Sequence, residues 1–113
     1  MKTAFLIQSE CFGESPPELG TKVMGTFLRQ LSMQQQKPDL IFFYGSGVKL
    51  MARDISPVLD ALDALIAVGV DLVCCKMCAQ FFGVEEKLHV GRIGGMDEML
   101  SILTKYERVV SVS

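Results

Sequence analysis

Residues 70–83 read V-D-L-V-C-C-K-M-C-A-Q-F-F-G, and the spacing of the apolar residues changes within this stretch. The first half is a short apolar run, which predicts a buried strand, and the second half predicts a short helix that ends at Gly83. Cys75 and Cys78 form a C-x-x-C pair at the junction, with Cys74 directly before them. Unpaired backbone N–H groups and the positive end of the helix dipole favour a thiolate in the first turn of a helix. We therefore expect Cys75 to be a reactive thiol.

Apolar strands and amphipathic helices alternate along the rest of the chain. Strands are predicted over residues 3–9, 39–44, 70–75, 88–93 and 108–112, with a helix between each pair. Strands that are apolar almost throughout are buried on both faces, as in parallel sheets covered by helices. The sequence therefore predicts an α/β fold class with three α/β/α layers and a five-stranded, mainly parallel sheet. We expect residues 1–113 to form a single domain.

Serine-proline pairs predict where two of the helices begin. Ser15 and Ser56 are the expected N-caps, followed by Pro16 and Pro57 at the first helical positions. Helical spacing then predicts which side chains face the sheet. They are Leu19, Val23, Met24, Phe27, Leu28 and Leu31 in the first helix, Leu59, Leu62, Leu65 and Ile66 in the second, and Met96, Met99, Leu100 and Leu103 in the last.

Composition excludes several classes of partner and location. The net charge of −2 gives no basic excess for a phosphate backbone, so we expect no nucleic-acid partner. The apolar run at the N-terminus stops at Gln8, too early for a signal peptide. The longest later apolar run, 65–75, is interrupted by Gly69 and Asp71, so we expect no membrane partner. The four cysteines do not resemble a secreted disulfide framework, and we expect a soluble cytoplasmic protein.

The loops that follow the strands carry most of the residues with reactive or polar groups. Right-handed crossovers bring these loops to the carboxyl edge of a parallel sheet, where open α/β sheets bind their ligands. We therefore expect a pocket at the cysteine pair that is lined by Cys11, Ser46, Gly47 and Lys76. Two alternatives stay open: Cys11 is a bystander in the first loop, and Lys76 is an ordinary solvated lysine.

The spacing of the cysteine pair suits persulfide chemistry. Cys75 would attack or carry a persulfide sulfur, and Cys78, one turn later on the same helix face, could release that cargo by forming a disulfide. The alternative is that both residues are small buried hydrophobes, since free cysteine is often buried. Cys74 points to the other side of the strand and is assigned to the core.

Metal and cofactor binding are weaker interpretations. Cys75, Cys78 and His89 could supply three ligands to zinc or copper, but structural zinc sites have four, usually in two pairs. The Gly45-Ser46-Gly47 turn follows a strand but lacks both the P-loop pattern and the dinucleotide fingerprint. We therefore expect neither a metal nor a cofactor.

Several segments together resemble a known family along nearly the whole chain. They are F-L-I-Q-S-E at 5–10, E-L-G at 18–20, F-Y-G-S-G-V-K-L at 43–50, S-P-V-L at 56–59, G-V-D-L at 69–72, C-K-M-C at 75–78, F-F-G-V at 81–84 and K-L-H-V-G-R-I at 87–93. The chain resembles the DsrE-like (DsrE/DsrF-like) sulfur-relay family. It is most similar to the sulfurtransferase-like domain of YedF-type selenium-metabolism proteins.

The resemblance implies a layered domain on a parallel sheet that assembles into a homo-oligomer, a trimer or a hexamer. It implies that Cys75, eight residues before Gly83, accepts a persulfide sulfur and passes it to a sulfur-carrier or sulfur-donor protein. Relay members typically have two arginines just before that glycine, where this chain has Phe81 and Phe82. YedF-type proteins usually carry an N-terminal carrier domain, and we expect any carrier here to be a separate protein.

The leading hypothesis is a small sulfur-handling protein of the sulfurtransferase type, in which Cys75 carries sulfur or selenium and Cys78 assists. The competing hypothesis is a non-catalytic binding subunit that keeps the fold and assembles through apolar helix faces. A metal-binding protein that uses Cys75, Cys78 and His89 is the third.

Overall fold

The computed structural model describes residues 1–112 and contains one five-stranded sheet. In chain order, strands β1 to β5 are Thr3–Ile7, Leu40–Phe43, Asp71–Cys75, Arg92–Gly94 and Arg108–Val112. Their order across the sheet is β4-β3-β2-β1-β5, and every neighbouring pair is parallel. The predicted α/β fold class and the five-stranded parallel sheet are confirmed.

Four α-helices and two 3-10 helices connect the strands. Helices α1 to α4 are Pro17–Ser32, Leu59–Ala67, Lys76–Phe81 and Met96–Lys105, and the 3-10 helices are Gly45–Met51 and Glu85–Lys87. From β1 to β4, each new strand is added at the same edge of the sheet. The chain then passes back across the sheet, and β5 is added at the opposite edge, beside β1. Right-handed crossovers therefore place α1, α2 and α3 on one face of the sheet and α4 on the opposite face.

Strand register and side-chain contacts agree with this layering. Phe5 and Ile41 are paired in register, and Phe5 stacks on Phe27 of α1 with ring centroids 6.4 Å apart. Arg92 of β4 projects from the other face and binds Glu98 of α4. The molecule thus has three layers, with the sheet between them.

The core is apolar and centred on β2 and β3. All four residues of β2 are buried, and so are the last four residues of β3. No polar or charged residue within 1–112 is fully buried. Burial on both faces explains why these central strands read as continuous apolar runs and not as alternating ones.

Two helices begin later than the serine-proline pairs predicted. Helix α1 begins at Pro17, because Pro16 precedes a second proline and adopts an extended ψ of 148° that cannot continue a helix. Helix α2 begins at Leu59, and the Ser56 hydroxyl instead accepts a hydrogen bond of 3.1 Å from the Val58 N–H. Ser56 therefore closes a turn before the helix and does not cap it.

Helix α4 presents a different face to the sheet from the predicted one. Met99 is buried as expected, but its buried partner is Ile102, while Met96, Leu100 and Leu103 are exposed. In α1 the predicted Met24, Leu28 and Leu31 are buried, whereas Leu19 and Val23 are exposed. Ile66 of α2 is exposed as well. The apolar stripes are wider than the helix surface that the sheet covers.

Candidate thiol site

The cysteine pair lies where the central strand β3 passes directly into α3. Cys75 is the last residue of the strand and the residue that precedes the first helical position, Lys76. Its side chain is only 5 % exposed. The thiol therefore lies at the carboxyl edge of the sheet, under the first turn of a short helix.

Cys78 is half-buried one turn further along α3. Its sulfur accepts a hydrogen bond of 3.1 Å from the backbone N–H of Gly45. Burial raises the pKa of Cys78, and a hydrogen bond with the Cys75 side chain raises it further, while the Gly45 N–H acts in the opposite direction. The Cys75 thiol is therefore close enough to affect the pKa of Cys78, and Cys78 is protonated at neutral pH.

Cys74 points to the opposite face of β3 from Cys75. It is completely buried, in register with Phe43 of β2, and burial raises the pKa of its thiol to about 12. The predicted assignment of Cys74 to the core is confirmed. A thiol that holds its proton so firmly is a poor nucleophile at neutral pH.

The segment 45–47 is pressed against the loop after β1, and glycine is required at both ends of it. Gly45 has a positive φ of 56°, and a Cβ there would lie 2.5 Å from the Gln8 carbonyl oxygen. A Cβ on Gly47 would lie 2.5 Å from the Ile7 carbonyl oxygen. Between them, the Ser46 hydroxyl accepts a hydrogen bond of 3.3 Å from the Glu10 N–H. This close packing fixes the Gly45 N–H that reaches Cys78.

Lys49 lies against the C-terminal end of α3, at Phe82. Its ammonium group is 4.6 Å from the centroid of the Phe82 ring and 3.8 Å from a carboxylate oxygen of Glu10. Phe82 in turn packs edge-on against Phe81, with ring centroids 5.1 Å apart. The helix that carries Cys78 therefore ends in two aromatic rings, and a positive charge lies over the second of them.

The other predicted lining residues lie at the margins of this site. The Cys11 side chain packs against Gly20 of α1, where an added Cβ would approach its sulfur to 3.2 Å. The Cys11 N–H donates a hydrogen bond to the hydroxyl of Ser9. Lys76 is exposed at the start of α3.

His89 is not part of the thiol site. Its ring Nε2 lies 3.0 Å from a carboxylate oxygen of Asp63 on α2, and its backbone N–H donates to the Met51 carbonyl. Over the described residues 1–112, no three histidine, cysteine or acidic side chains are grouped as metal ligands. The alternative metal site built from Cys75, Cys78 and His89 is therefore not formed.

The profile of one protein family, described as "DsrE/DsrF-like family", matches residues 1–112. The chain belongs to the DsrE/DsrF-like family. This agrees with the resemblance drawn from the sequence segments, at the level of the family. Among curated proteins, none matches the chain significantly.

Three solved structures share the DsrE-like fold over nearly their whole length. The ychN protein from E. coli is 18 % identical, with a TM-score of 0.68 over 98 % of this chain and 99 % of that chain. MTH1491 from Methanobacterium thermoautotrophicum, a protein of unknown function, is 16 % identical with a TM-score of 0.71 over 97 % of each chain. BT1422 from Bacteroides thetaiotaomicron, a conserved protein of unknown function, is 16 % identical with a TM-score of 0.65 over 98 % of this chain and 95 % of that chain. At these identities, the likeness concerns the fold alone.

The described part of this DsrE-like chain, residues 1–112, includes no helix that is long and apolar enough to cross a membrane.

Sequence reasoning missed two charged residues at the thiol site, Lys49 and Glu10. Glu10 lies in the loop after β1, and Lys49 belongs to the 3-10 helix Gly45–Met51, where the sequence predicts only a turn at Gly45-Ser46-Gly47. This helix places Lys49 a little more than one turn after Gly45. That spacing was the available signal.

Proposed function

We propose that this DsrE-like protein is a sulfur carrier in which Cys75 accepts a sulfane sulfur, or selenium, and relays it to a partner. One observation supports it most directly: the placement of Cys75 and Cys78 one helical turn apart at the carboxyl edge of the sheet, with the Gly45 N–H on the Cys78 sulfur. Thiol pairs three residues apart at a strand-to-helix junction suit sulfur exchange. The specific kinship with YedF-type selenium-metabolism proteins is part of this proposal.

The loading step exchanges one sulfur–sulfur bond for another. The Cys75 thiolate attacks the terminal sulfur of a donor hydropersulfide, the donor's S–S bond breaks, and the donor leaves as a thiolate. The product is a Cys75 persulfide, and no net oxidation occurs. In the delivery step, an acceptor thiolate attacks the same terminal sulfur and Cys75 leaves as a thiolate.

Cys78 would assist in two ways. Because its pKa is raised, it is a neutral thiol at pH 7 and can donate a hydrogen bond to the Cys75 thiolate. When no acceptor is present, a Cys78 thiolate could attack the inner sulfur of the Cys75 persulfide. That reaction forms a Cys75–Cys78 disulfide and releases hydrosulfide, so that the two cysteines are oxidised and the sulfane sulfur is reduced.

The proposed partner is a separate sulfur-donor or sulfur-carrier protein in the reducing cytoplasm. Met77 and Phe81 protrude from α3 beside the cysteine pair and are 73 % and 81 % exposed. Exposed apolar side chains of this size next to a buried thiol suit a protein partner better than a free small molecule. Docking there would bring the partner's sulfur close to Cys75.

Assembly into a homo-oligomer, a trimer or a hexamer, is proposed as well. The observation in its favour is the exposed apolar row Met96, Leu100 and Leu103 on α4, at i, i+4 and i+7. The same row favours the second candidate function, a non-catalytic oligomeric subunit in which the cysteines serve only for packing.

The two candidates are separated by intact-mass spectrometry after the reduced protein is incubated with inorganic polysulfide. The carrier function predicts that the wild type gains one sulfur atom, that Cys75→Ser gains none, and that Cys11→Ser, the matched control, gains as much as the wild type. Cys78→Ser should retain the persulfide longer than the wild type, because the disulfide cannot form. An unmodified wild type would favour the non-catalytic subunit.

A further inference from the structure

The ammonium group of Lys49 lies in a confined position between a carboxylate and an aromatic ring. Glu10 is on one side, with 3.8 Å between nitrogen and oxygen, and the Phe82 ring is on the other, with 4.6 Å to its centroid. The side chain of Lys49 is 31 % exposed. One part of the ammonium therefore faces solvent, and the remainder is held by neighbours that restrict its motion.

Lys49 is connected to the thiols on two sides. On one side, the N–H of Phe82 donates to the carbonyl of Cys78, so the ring beneath the ammonium is one helical turn from the Cys78 sulfur. On the other side, the 3-10 helix that carries Lys49 begins at Gly45, whose N–H binds that sulfur. The ammonium is thus linked to the Cys78 sulfur through both of these segments.

The carboxylate of Glu10 also belongs to this arrangement. The Glu10 N–H donates to the hydroxyl of Ser46, which is adjacent to Gly45. The loop after β1, the 3-10 helix and α3 are therefore joined by a ring of contacts that includes the Cys78 sulfur. Lys49 is the cation of that ring.

The Lys49 ammonium has unused hydrogen-bonding capacity. An ammonium has three N–H donors, and the distance of 3.8 Å to Glu10 is beyond hydrogen-bond range. The aromatic face attracts the charge without accepting a conventional hydrogen bond. Among residues 1–112, Lys49 makes only these two side-chain interactions with charged or aromatic groups. A small anion beside Lys49 could therefore be bound without breaking a strong internal contact.

We propose that Lys49 is the anion-binding residue of the thiol site and that it holds the negatively charged sulfur group of the donor beside the cysteine pair. Hydropersulfide, polysulfide and thiosulfonate anions all carry charge on or next to the sulfur that is transferred. The chemical identity of the anion rests on the proposed carrier function, but the presence of an anion site does not. Lys76, which is exposed on the surface of α3, is not the residue that performs this role.

The proposed anion site at Lys49 is tested by comparing how fast the cysteines react with a negatively charged and with a neutral alkylating reagent. The alkylation rates of Cys75 and Cys78 are measured by peptide mapping with iodoacetate, an anion, and with iodoacetamide, its neutral analogue of similar size. A positive charge near the thiols raises the iodoacetate rate relative to the iodoacetamide rate. We expect Lys49→Met to lower that ratio about five-fold, which corresponds to a charge interaction of about 1 kcal/mol near the surface.

Matched variants separate the charge of Lys49 from its packing. Lys49→Arg should keep the wild-type ratio, Glu10→Gln should raise it, and Lys76→Met should leave it unchanged. A loss of packing alone would change both alkylation rates together and leave the ratio constant. A constant ratio in Lys49→Met, or a lowered ratio in Lys76→Met, would overturn the assignment to Lys49.

The same proteins then test the connection to sulfur transfer. If polysulfide loads the wild type, Lys49→Met should load about five-fold more slowly, because the same charge interaction is lost. If the wild type reacts preferentially with iodoacetate but takes up no sulfur, the anion site is supported and the carrier function is rejected. A Lys49→Met variant that loads at the wild-type rate would reject Lys49 as the residue that binds the donor anion.

Discussion

The backbone N–H of Gly45 donates a hydrogen bond of 3.1 Å to the sulfur of Cys78, although the two residues are 33 positions apart in the chain. This contact joins the start of the 3-10 helix after β2 to the first turns of α3. It depends on a positive φ at Gly45 and on close approach to the Gln8 carbonyl. The geometry of the thiol site is therefore set partly by a residue that has no side chain.

Replacing Gly45 with alanine should destabilise the fold more than the same change at another positive-φ glycine. At Gly69, φ is 93° and an added Cβ meets nothing within 4 Å, so Gly69→Ala costs about 1–2 kcal/mol for the backbone conformation alone. Gly45→Ala adds a contact of 2.5 Å with the Gln8 oxygen and should cost a further 1–3 kcal/mol or so. Urea denaturation of both variants measures the difference, and equal losses would contradict the close packing described for Gly45.

The stability of the protein should fall at alkaline pH because of Cys74. The pKa of this thiol is about 12 in the folded protein against 9.0 for an unperturbed cysteine, owing to burial. Between these values the unfolded chain loses the Cys74 proton while the folded protein keeps it, so the contribution to stability is complete below pH 9 and decreases as the pH rises to 12. Cys74→Ala should show a smaller decrease in unfolding free energy over that range. Parallel curves for the two proteins would mean that Cys74 titrates normally.

Arg92 should contribute more to stability than the other arginine ion pair. Its guanidinium binds both Asp71 at 2.8 Å and Glu98 at 2.8 Å, which joins β3, β4 and α4. We expect Arg92→Met to lower the unfolding free energy by about 1–2 kcal/mol, with a smaller loss in 1 M salt.

Arg29→Met is the matched control for Arg92. Arg29 binds one carboxylate, that of the exposed Asp60, through two contacts of 3.3 Å, and donates a longer hydrogen bond of 3.4 Å to the Pro57 carbonyl. The loss of these longer contacts should have a smaller effect in the same denaturation experiment. A larger loss for Arg29→Met than for Arg92→Met would show that the network on α4 contributes little.

Two neighbouring residues of α4 should respond differently to a charged substitution. Met99 faces the sheet and is buried, so Met99→Lys should cost more than about 3 kcal/mol in unfolding free energy. Leu100 is 55 % exposed, and Leu100→Lys should leave the protomer folded. If the apolar row on α4 is an interface, Leu100→Lys should also reduce the molecular mass in sedimentation analysis. Unfolding of Leu100→Lys to the same degree as Met99→Lys would contradict the observed face of the helix.

The predicted and observed faces of α4 show how far helical spacing can be relied on. The four residues predicted to face the sheet share an apolar stripe, but only Met99 is buried among them, and Ile102 completes the contact. Spacing defines which residues lie on one side of a helix. It does not define how wide a strip the neighbouring layer covers, because that width depends on where the helix lies above the sheet.

The sequence by itself determined the number of strands, the helices between them and the position of Cys75 at the end of β3. These features follow from short-range effects: apolar spacing, and proline and glycine at the ends of elements. The fourth strand, predicted over 88–93, instead runs over Arg92–Gly94, because Leu88 pairs with Ala52 outside the sheet. Only the tertiary structure decided the strand order, the contact between Gly45 and Cys78, and the place of Lys49 between Glu10 and Phe82. Such contacts join residues that are 33 to 39 positions apart, and they exist only after strand register and helix placement bring the loops to one edge of the sheet.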